Sequence, residues 1–553
     1  MNASDRITPQ LAAAAILERL RTGPGYFLTN NERDVSQSDF KGRIMPATSL
    51  KAAPERDDTG YFAVEISGGA SIHVDLLYKQ IDPFERLRLL RRAMPNTLLQ
   101  TVCRGRNLFG YRPYPDNVLR FAVELFARYV DVWRIYDFLN HVPNLKVVGE
   151  AVQQAGKLLI PSLCFSTGPD HTDAFYVSKA AEIVDAFGED IILGIKNHSG
   201  VGSPRRIRDL VRALKTVFPR LILAYHGHNT DGNDLARMVA AVEEGVKIVE
   251  VADHGYGGMY SQAPALSLIQ TLHDYGYQSP GLKIRPLVEA SDLLRRERRH
   301  YQQFETPFRG FDPTVKRHKL TGGAASITFE QAEKLNLLER SHEVFSELVE
   351  VNREMGNIWS VTPGSQILWT TALNNVIHGR YENPSDDLKR LLLGRYGPFP
   401  FREPQQWIYE KVLQHRRTDG KKWYQILTDE GGWKELPDED LPNRRGELAT
   451  RLGRPPTDEQ LCLYLQFPRD ALDYFRFQEK FGKTWLLPPE IWFRRGGFED
   501  GQRITFADED GKTHHIDVIS THRKGNQVET SLLVDYHFQT YSTPVEPKDA
   551  CRP

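Results

Sequence analysis

The amino-acid sequence predicts an α/β protein built on a (β/α)8 TIM barrel, with a helical extension over the barrel mouth and a C-terminal α+β domain. From residue 25 onward, short apolar runs recur about every 30 residues, and amphipathic helical segments separate them. Each run also ends in a polar or charged group. Buried strands that alternate with helices form parallel sheets, and eight such units over about 230 residues suit a closed barrel.

The eight predicted strands end in side chains that suit chemistry. The runs occupy residues 25–34, 61–69, 97–105, 130–137, 157–168, 190–200, 221–232 and 246–255. Their polar ends, in chain order, are Arg33 with Asp34, Gly68 with Gly69, Arg104, Asp137, Ser166 with Thr167, Lys196 with Asn197, His226 with His228, and Asp253 with His254. Barrel chemistry takes place at the C-terminal ends of the strands, so we expect these groups to share one rim.

The rest of the chain predicts further units around the barrel. We assign residues 1–24 to an N-terminal helical segment, 25–300 to the barrel, 301–395 to the helical extension, and 396–553 to the C-terminal domain. In the extension, residues 327–356 and 362–379 have helical periodicity, with Thr362 and Pro363 as the N-cap and first turn of the second helix.

The C-terminal domain combines helical and strand patterns. Residues 458–482 predict a helical segment, and 502–536 predict strands with a hairpin turn at DEDGK (508–512).

Composition excludes several classes of function. The 71 basic and 72 acidic side chains give a formal net charge of -1, which disfavours nucleic-acid and acidic-membrane partners. No apolar stretch approaches the roughly 20 residues that span a bilayer. The four cysteines lack CxxC spacing, and the N-terminus lacks a secretory signal. We therefore expect a cytoplasmic protein.

A metal site is predicted at the barrel rim. His226 and His228 lie two apart at a strand end, so both point to the same side. Such a pair alone is more often a pair of loop histidines that form hydrogen bonds, but Asp34 adds an anionic oxygen close by. Oxygen and imidazole ligands together suit zinc, manganese or cobalt better than calcium or magnesium. Lys196 is either an ion-pair partner of Asp34 or a carbamate ligand, because a protonated amine cannot bind a metal.

Eight motifs in a fixed order resemble the carboxyltransferase component of biotin-dependent pyruvate carboxylase, oxaloacetate decarboxylase and transcarboxylase. They are RDVSQS (33–38), PFERLR (83–88), CRGRN-FGY-YPDN (103–117), WRIYDFLN (133–140), GIKN (194–197), HGHNTDG (226–232), GGMYSQ (257–262) and VTPGSQ (361–366). The tail from about residue 445 is similar to the C-terminal conserved or allosteric domain of those enzymes.

The resemblance implies a role for each matching residue. It implies metal ligation by Asp34, Lys196, His226 and His228, with Lys196 carbamylated. Arg104 would bind the carboxylate of a 2-oxo acid, and Arg33 and Gln37 would lie near its oxygen. Tyr111 would belong to the biotin pocket, and Thr362 would carry a proton between substrate and biotin.

The implied reaction moves a carboxyl group between carboxybiotin and a 2-oxo acid, most simply pyruvate and oxaloacetate. The chain has no ATP-binding module and no AMKM-type biotinyl-lysine motif. We therefore expect a separate biotin carboxylase subunit and a separate biotin carrier protein, with the tail and residues 415–445 as docking surfaces. The resemblance also implies a homo-oligomer, either a dimer or a tetramer.

This sequence departs from the family motifs around the substrate and biotin pockets. The positions that differ are Ser36, His73, Asn197, Asn229, His254, TGGA (321–324) and Gln366. The four metal ligands are unchanged, so the departures concern the identity of the substrate.

Two other functions remain open from the sequence. One is a metal-dependent aldolase or lyase of the hydroxymethylglutaryl-CoA lyase-like group, which shares the Arg-Asp pair and the two histidines. The extension carrying VTPGSQ and the carboxylase-like tail argue against it. The other is a non-catalytic scaffold subunit, which the replaced pocket residues would permit.

Overall fold

Eight parallel strands close into a barrel in the computed structural model of the chain, which confirms the predicted fold class. The strands are β1 Phe27–Asn30, β2 Ala63–Gly68, β3 Leu98–Cys103, β4 Val132–Tyr136, β5 Leu158–Cys164, β6 Ile192–Asn197, β7 Ile222–Gly227 and β8 Ile248–Val251. β1 pairs in parallel with both β2 and β8, which closes the ring. The structure describes residues 6–305, 310–320, 340–413, 436–482, 489, 500–507, 513–524, 527–535 and 537–544.

Helices surround the barrel because each alternating segment buries one apolar face. In Pro204–Val217, for example, Ile207, Leu210, Val211 and Leu214 are buried, and Ser203 caps the first turn through the amide of Arg206. The α-helices up to residue 300 are Ala13–Thr22, Glu32–Phe40, Pro46–Thr59, Ser71–Val74, Pro83–Ala93, Asp116–Phe126, Pro143–Gln154, Asp173–Phe187, Pro204–Val217, Asp234–Glu243, Ala265–Asp274 and Ile284–Glu297. A π-helical turn covers Asp75–Lys79, and 3-10 turns cover Gly105–Asn107 and Arg298–Phe304.

The prediction that Asp34 ends the first strand is wrong. β1 stops at Asn30, and Arg33 and Asp34 lie in the first turns of the helix Glu32–Phe40. Acidic residues are favoured there because the helix N-terminus carries positive partial charge. The carboxylate of Asp34 is nevertheless buried at the barrel mouth.

The extension contains the helices Val315–His318, Ser341–Glu354, Gly364–His378 and Asp386–Leu392, and the helix Gln406–Val412 follows its predicted end at residue 395. The TGGA motif and the first half of the predicted helix 327–356 lie outside the described residues. The prediction of Thr362 as an N-cap is wrong, because the helix begins at Gly364 with Pro363 at the cap position. The carbonyl of Val361 accepts the amide of Ser365, so a backbone group replaces the threonine hydroxyl.

The described part of the C-terminal region contains further helices and a separate sheet. The predicted helical segment 458–482 is two helices, Asp458–Gln466 and Pro468–Phe481, because Pro468 starts a new one, and Leu441–Leu452 precedes them. An antiparallel sheet follows, in the order β12-β11-β10-β9, from β9 Arg503–Ala507, β10 Thr513–Lys524, β11 Gln527–Val534 and β12 His537–Pro544.

Two predicted features of this region fall largely outside the described part. The DEDGK turn lies outside the described residues, although β9 and β10 pair as the predicted hairpin requires. Most of the predicted docking segment 415–445 also lies outside them. Within the described residues, every helix is too short or too polar to cross a bilayer.

Candidate active site at the barrel mouth

Asp34, His226 and His228 form a cluster at the mouth of the barrel. Oδ2 of Asp34 lies 3.4 Å from Nε2 of His226 and 3.2 Å from Nε2 of His228. Ligands about 2.1 Å from one metal ion stand about 3.0–3.5 Å apart, so a single ion fits between the three atoms. In the described part of the chain this is the one group of three or more such side chains close enough to share an ion.

Both histidines are oriented by acceptors on their far side. Nδ1 of His226 lies 2.6 Å from Oε2 of Glu250, and Nδ1 of His228 lies 2.5 Å from the carbonyl oxygen of Tyr260. Because carboxylate and carbonyl oxygens only accept, each Nδ1 carries a hydrogen, and in the neutral ring Nε2 then keeps its lone pair. This tautomer directs both lone pairs at the centre of the cluster, as metal ligation requires.

The electrostatic surroundings keep Asp34 ionised and His226 neutral. Burial raises the pKa of Asp34, but Arg33 and the two histidines outweigh burial and hold that pKa well below its usual value. Burial, with the nearby Lys196 and Arg134, lowers the pKa of His226 well below its usual value. An anionic oxygen and a neutral imidazole are the forms that bind a divalent ion.

Lys196, on β6, lies beside the histidines and not in an ion pair with Asp34. Its Nζ is 3.3 Å from Nε2 of His226. Among the described residues no carboxylate lies within ion-pairing distance of this amine. Burial and Arg134 lower the pKa of Lys196 to about 8, so an appreciable fraction is the neutral, nucleophilic amine near neutral pH.

Arg104 presents a buried cation to the same pocket. It follows β3 and is 2 % exposed, and Nη1 donates to the carbonyls of Phe109 at 2.7 Å and Gly110 at 2.9 Å. Its Nε has no acceptor, and no carboxylate in the described part of the chain forms an ion pair with it. An unpaired guanidinium in a pocket is a receptor for a planar anion.

Arg33 and Gln37 line the pocket on one helical turn. Nε of Arg33 donates to Glu65 at 2.8 Å, and its Nη1 donates to the side-chain oxygen of Gln37 at 3.0 Å. That oxygen also accepts the amide of Ala70 at 3.1 Å. Both contacts use the side-chain oxygen of Gln37, and its NH2 group takes part in neither.

Thr362 reaches the pocket from the extension, whereas Tyr111 lies beside Arg104 and outside the pocket lining. The carbonyl of Thr362 accepts a hydrogen bond from the hydroxyl of Tyr136 at 3.0 Å. The ring of Tyr111 lies 5.1 Å from Cζ of Arg104. The residues that line the pocket itself are Arg33, Asp34, Gln37, Gly69, Val102, Arg104, Tyr136, Lys196, His198, His228, Val361 and Thr362.

The sequence prediction missed a charged network inside the barrel. Glu65 in β2, Arg134 in β4 and Glu250 in β8 meet across it, with Arg134 2.5 Å from Glu65 and 2.7 Å from Glu250. Gln100 also donates to both glutamates, at 2.8 and 3.2 Å. Burial raises the pKa of Glu250 to about 7. The sequence signal that could have revealed this network is a single charged residue within each of these otherwise apolar strands.

His198 and Tyr136 were also missed as pocket residues. His198 lies two residues after Lys196, and its Nδ1 is 3.3 Å from the carbonyl of Lys196. Tyr136 is the last residue of β4, one position before the Asp137 that the sequence pattern selected. Asp137 instead accepts the amides of Leu139 and His141, which gives it a structural role.

Two family models match adjacent parts of the chain. The model described as HMGL-like matches residues 142–294, and the model described as Conserved carboxylase domain matches residues 315–517.

Relatives with similar sequences cover most of the chain. A pyruvate carboxylase subunit of Methanothermobacter thermautotrophicus is 33% identical over 80% of this chain and 76% of its own length. The 2-oxoglutarate carboxylase large subunit of Hydrogenobacter thermophilus is 29% identical over 81% of this chain and 68% of its own length. The chain spans less than half of several pyruvate carboxylases that it also matches, such as 46% of pyruvate carboxylase 1 of Caenorhabditis elegans.

A solved structure has the same architecture. The carboxyl transferase domain of Rhizobium etli pyruvate carboxylase, determined with pyruvate, superposes with a TM-score of 0.86 at 26% identity. The match covers 97% of this chain and 91% of that domain. The likeness therefore includes the barrel, the extension and most of the C-terminal region.

Proposed function

Because the chain belongs to the carboxyltransferase family of the biotin-dependent carboxylases, we propose that it transfers a carboxyl group between carboxybiotin on a separate carrier protein and a 2-oxo acid. Pyruvate, with oxaloacetate as its carboxylated form, is the first substrate pair to test. The relative named 2-oxoglutarate carboxylase makes 2-oxoglutarate the second. The observation that carries the proposal is the buried, unpaired guanidinium of Arg104 in one pocket with the Asp34 cluster.

Arg104 would bind the substrate carboxylate. Two backbone carbonyls fix one of its nitrogens, and since no carboxylate of the described residues forms an ion pair with it, its charge is available to an anion. Arg33 and Gln37, held by Glu65 and by each other, would contact the 2-oxo group. With the carboxylate and the carbonyl both held, the reacting methyl carbon is positioned toward Thr362.

Asp34, His226 and His228 would hold a divalent ion, as the directed lone pairs and the ligand spacing support. Zinc, manganese and cobalt fit this oxygen and imidazole set better than calcium or magnesium. When bound, the ion supplies Lewis-acid polarisation of a substrate oxygen. Asp34 and His228 line the same pocket as Arg104, so the two binding functions would act on one substrate.

Lys196 would be the fourth ligand, as a carbamate. A carbamate forms when the neutral amine attacks CO2 and loses a proton, and a lowered pKa supplies that neutral amine. The carbamate is anionic and has oxygen atoms that can bind a metal ion, whereas the protonated amine has no lone pair and would repel the ion. The 3.3 Å approach of Nζ to Nε2 of His226 supports this role.

Thr362 would carry the proton between the substrate methyl group and the biotin nitrogen. Its side chain lines the pocket, and Tyr136 holds its backbone through the carbonyl. A hydroxyl both accepts and donates a proton, so one group serves the two halves of the transfer. The extension contributes Val361 and Thr362 to the lining of the pocket, where they would help to keep water from the released carboxyl group.

The test is carrier-dependent transfer by the purified full chain. Oxaloacetate decarboxylation and pyruvate carboxylation would be measured with and without biotinylated carrier and biotin carboxylase, with 2-oxoglutarate in a parallel assay. We expect turnover only when the carrier is present. Cleavage of a substrate without any carrier would favour the lyase alternative, and absence of turnover with every 2-oxo acid would favour a scaffold.

A further inference from the structure

The C-terminal helix Pro468–Phe481 touches the barrel beside the candidate active site. Oδ2 of Asp470, in its first turn, lies 2.9 Å from Nε2 of His73. The ring of Phe467 stacks on His73 with centroids 4.9 Å apart and planes 6° apart. The side chains of His73 and Asp470 are only 22% and 25% exposed. A residue 397 positions away in the chain therefore fixes the His73 ring.

The other ring nitrogen of His73 reaches Tyr111. Nδ1 of His73 lies 3.3 Å from the Tyr111 hydroxyl. Because the carboxylate of Asp470 can only accept, Nε2 of His73 carries a hydrogen, and in the neutral ring Nδ1 accepts the hydroxyl of Tyr111. The Tyr111 ring in turn lies 5.1 Å from Cζ of Arg104. These contacts form a continuous path from the C-terminal helix to the proposed carboxylate receptor.

We propose that Asp470 and His73 are positioning residues that orient the Tyr111 ring against Arg104, so that the C-terminal helix sets the fit of carrier-borne biotin beside Arg104. This inference rests on the proposed function. Tyr111 is half-buried, so loss of the hydrogen-bond partner of its hydroxyl costs free energy. Without His73 the Tyr111 ring is free to leave the guanidinium face, and the surroundings of Arg104 beside the pocket are no longer fixed.

Simple anchoring of the C-terminal helices is the alternative explanation for these contacts. That attachment is also made elsewhere, because Glu459 pairs with Arg88 at 2.9 Å and accepts the hydroxyl of Tyr129 at 2.9 Å. The hydroxyl of Tyr114 also donates to the carbonyl of Gln466 at 3.0 Å. Glu459 is therefore a matched control, since it joins the same region to the barrel without a contact to the pocket residues.

The experiment compares His73→Phe, Asp470→Ala, Tyr111→Phe, the double His73 and Asp470 variant, and the control Glu459→Ala in the full chain. His73→Phe keeps the stack on Phe467 but loses both hydrogen bonds. We expect each of the first three to raise KM for biotinylated carrier about tenfold, the effect of one hydrogen bond. The KM of the double variant should rise no further, because either single substitution already breaks the path from Asp470 to Tyr111. Glu459→Ala should keep the wild-type KM.

Several outcomes would overturn the inference. Equal KM values for Asp470→Ala and Glu459→Ala would mean that the contacts only anchor the helix. A KM increase in the double variant equal to the product of the two single increases would mean that His73 and Asp470 do not act through one path. If Asp470→Ala does not fold, Asp470→Asn replaces it, because the amide oxygen of asparagine still accepts from Nε2 of His73. We then expect the KM for biotinylated carrier to rise about threefold. A larger rise in KM than for Tyr111→Phe would count against the path. Wild-type chain without carrier-dependent turnover would instead refute the proposed function.

Discussion

Glu250 accepts a hydrogen bond from His226 across 2.6 Å, between Oε2 of the glutamate and Nδ1 of the imidazole. The same carboxylate also accepts from Arg134 at 2.7 Å and from Asn31 at 2.5 Å. The histidine is therefore locked in the tautomer and orientation that direct Nε2 at Asp34. A hydrogen-bond partner at the other nitrogen of a metal-binding histidine fixes the orientation of the ring and raises its basicity.

Replacement of Glu250 by glutamine should weaken metal binding more than it weakens the fold. We expect metal affinity to fall about 10- to 100-fold, because His226 loses its charged partner. Competition with a chelator measures the affinity, and thermal unfolding measures the fold. Glu32→Gln is the matched control, because Glu32 is also buried and paired with an arginine, Arg56, but does not touch His226. Equal affinity losses in both variants would contradict a specific role for Glu250.

Arg104→Lys should impair binding of the 2-oxo acid. Lysine keeps the charge but loses the planar fork, and the lost charge-assisted hydrogen bond corresponds to about 2–3 kcal/mol, or roughly 30- to 150-fold in KM. Initial rates over a range of pyruvate concentrations give this KM. Arg106→Lys is the control, because Arg106 pairs with Asp116 at 2.7 Å outside the pocket. A normal KM in Arg104→Lys would remove Arg104 from the substrate site.

Thr362→Ala should remove proton exchange at the substrate methyl group. Loss of a general acid–base group lowers the rate about 10²- to 10⁴-fold, while Thr362→Ser should retain much of it. Nuclear magnetic resonance can follow exchange of the pyruvate methyl protons with deuterated water. Ser360→Ala is the control, because Ser360 is a buried hydroxyl two residues away. Unchanged exchange in Thr362→Ala would exclude the relay.

The barrel and the two histidines of the proposed metal site could be predicted because their signals are local. Strand and helix periods repeat along the chain, and His226 and His228 are adjacent in sequence to a strand end. The sequence does not predict the network of Glu65, Arg134 and Glu250. These residues lie on β2, β4 and β8 and meet only through the register of the closed barrel. The position of Asp34 was also missed, since the hydrophobic pattern does not show that β1 ends at Asn30.

Lys196 should carry a carbamate that ¹³C-labelled bicarbonate reveals. We expect a carbamate carbon signal in the wild-type chain that is lost in Lys196→Arg, together with most of the bound metal, because guanidinium does not form a stable carbamate. Lys79→Arg is the control, since Lys79 is also buried with a lowered pKa but pairs with Asp75 at 2.6 Å. The same signal in Lys196→Arg would assign the carbamate to another amine.

His171 should make the fold sensitive to acid. Its ring packs against Trp359 and Phe401 with centroids 5.0 Å away in both cases, which joins the extension to the barrel. Burial, and next the charge of Lys319, lower the pKa of His171 from 6.5 to about 3. Between those two values the unfolded chain binds a proton that the folded chain does not.

The free energy of unfolding should therefore be highest above about pH 6.5 and fall as the pH drops toward 3, by up to about 4–5 kcal/mol from this residue. His171→Phe should flatten this dependence, because phenylalanine fits the aromatic site and does not titrate. Urea unfolding at about pH 7, 5 and 4 measures the slope, with the exposed His273→Phe as the control. Parallel curves for wild type and His171→Phe would show that other groups cause the acid sensitivity.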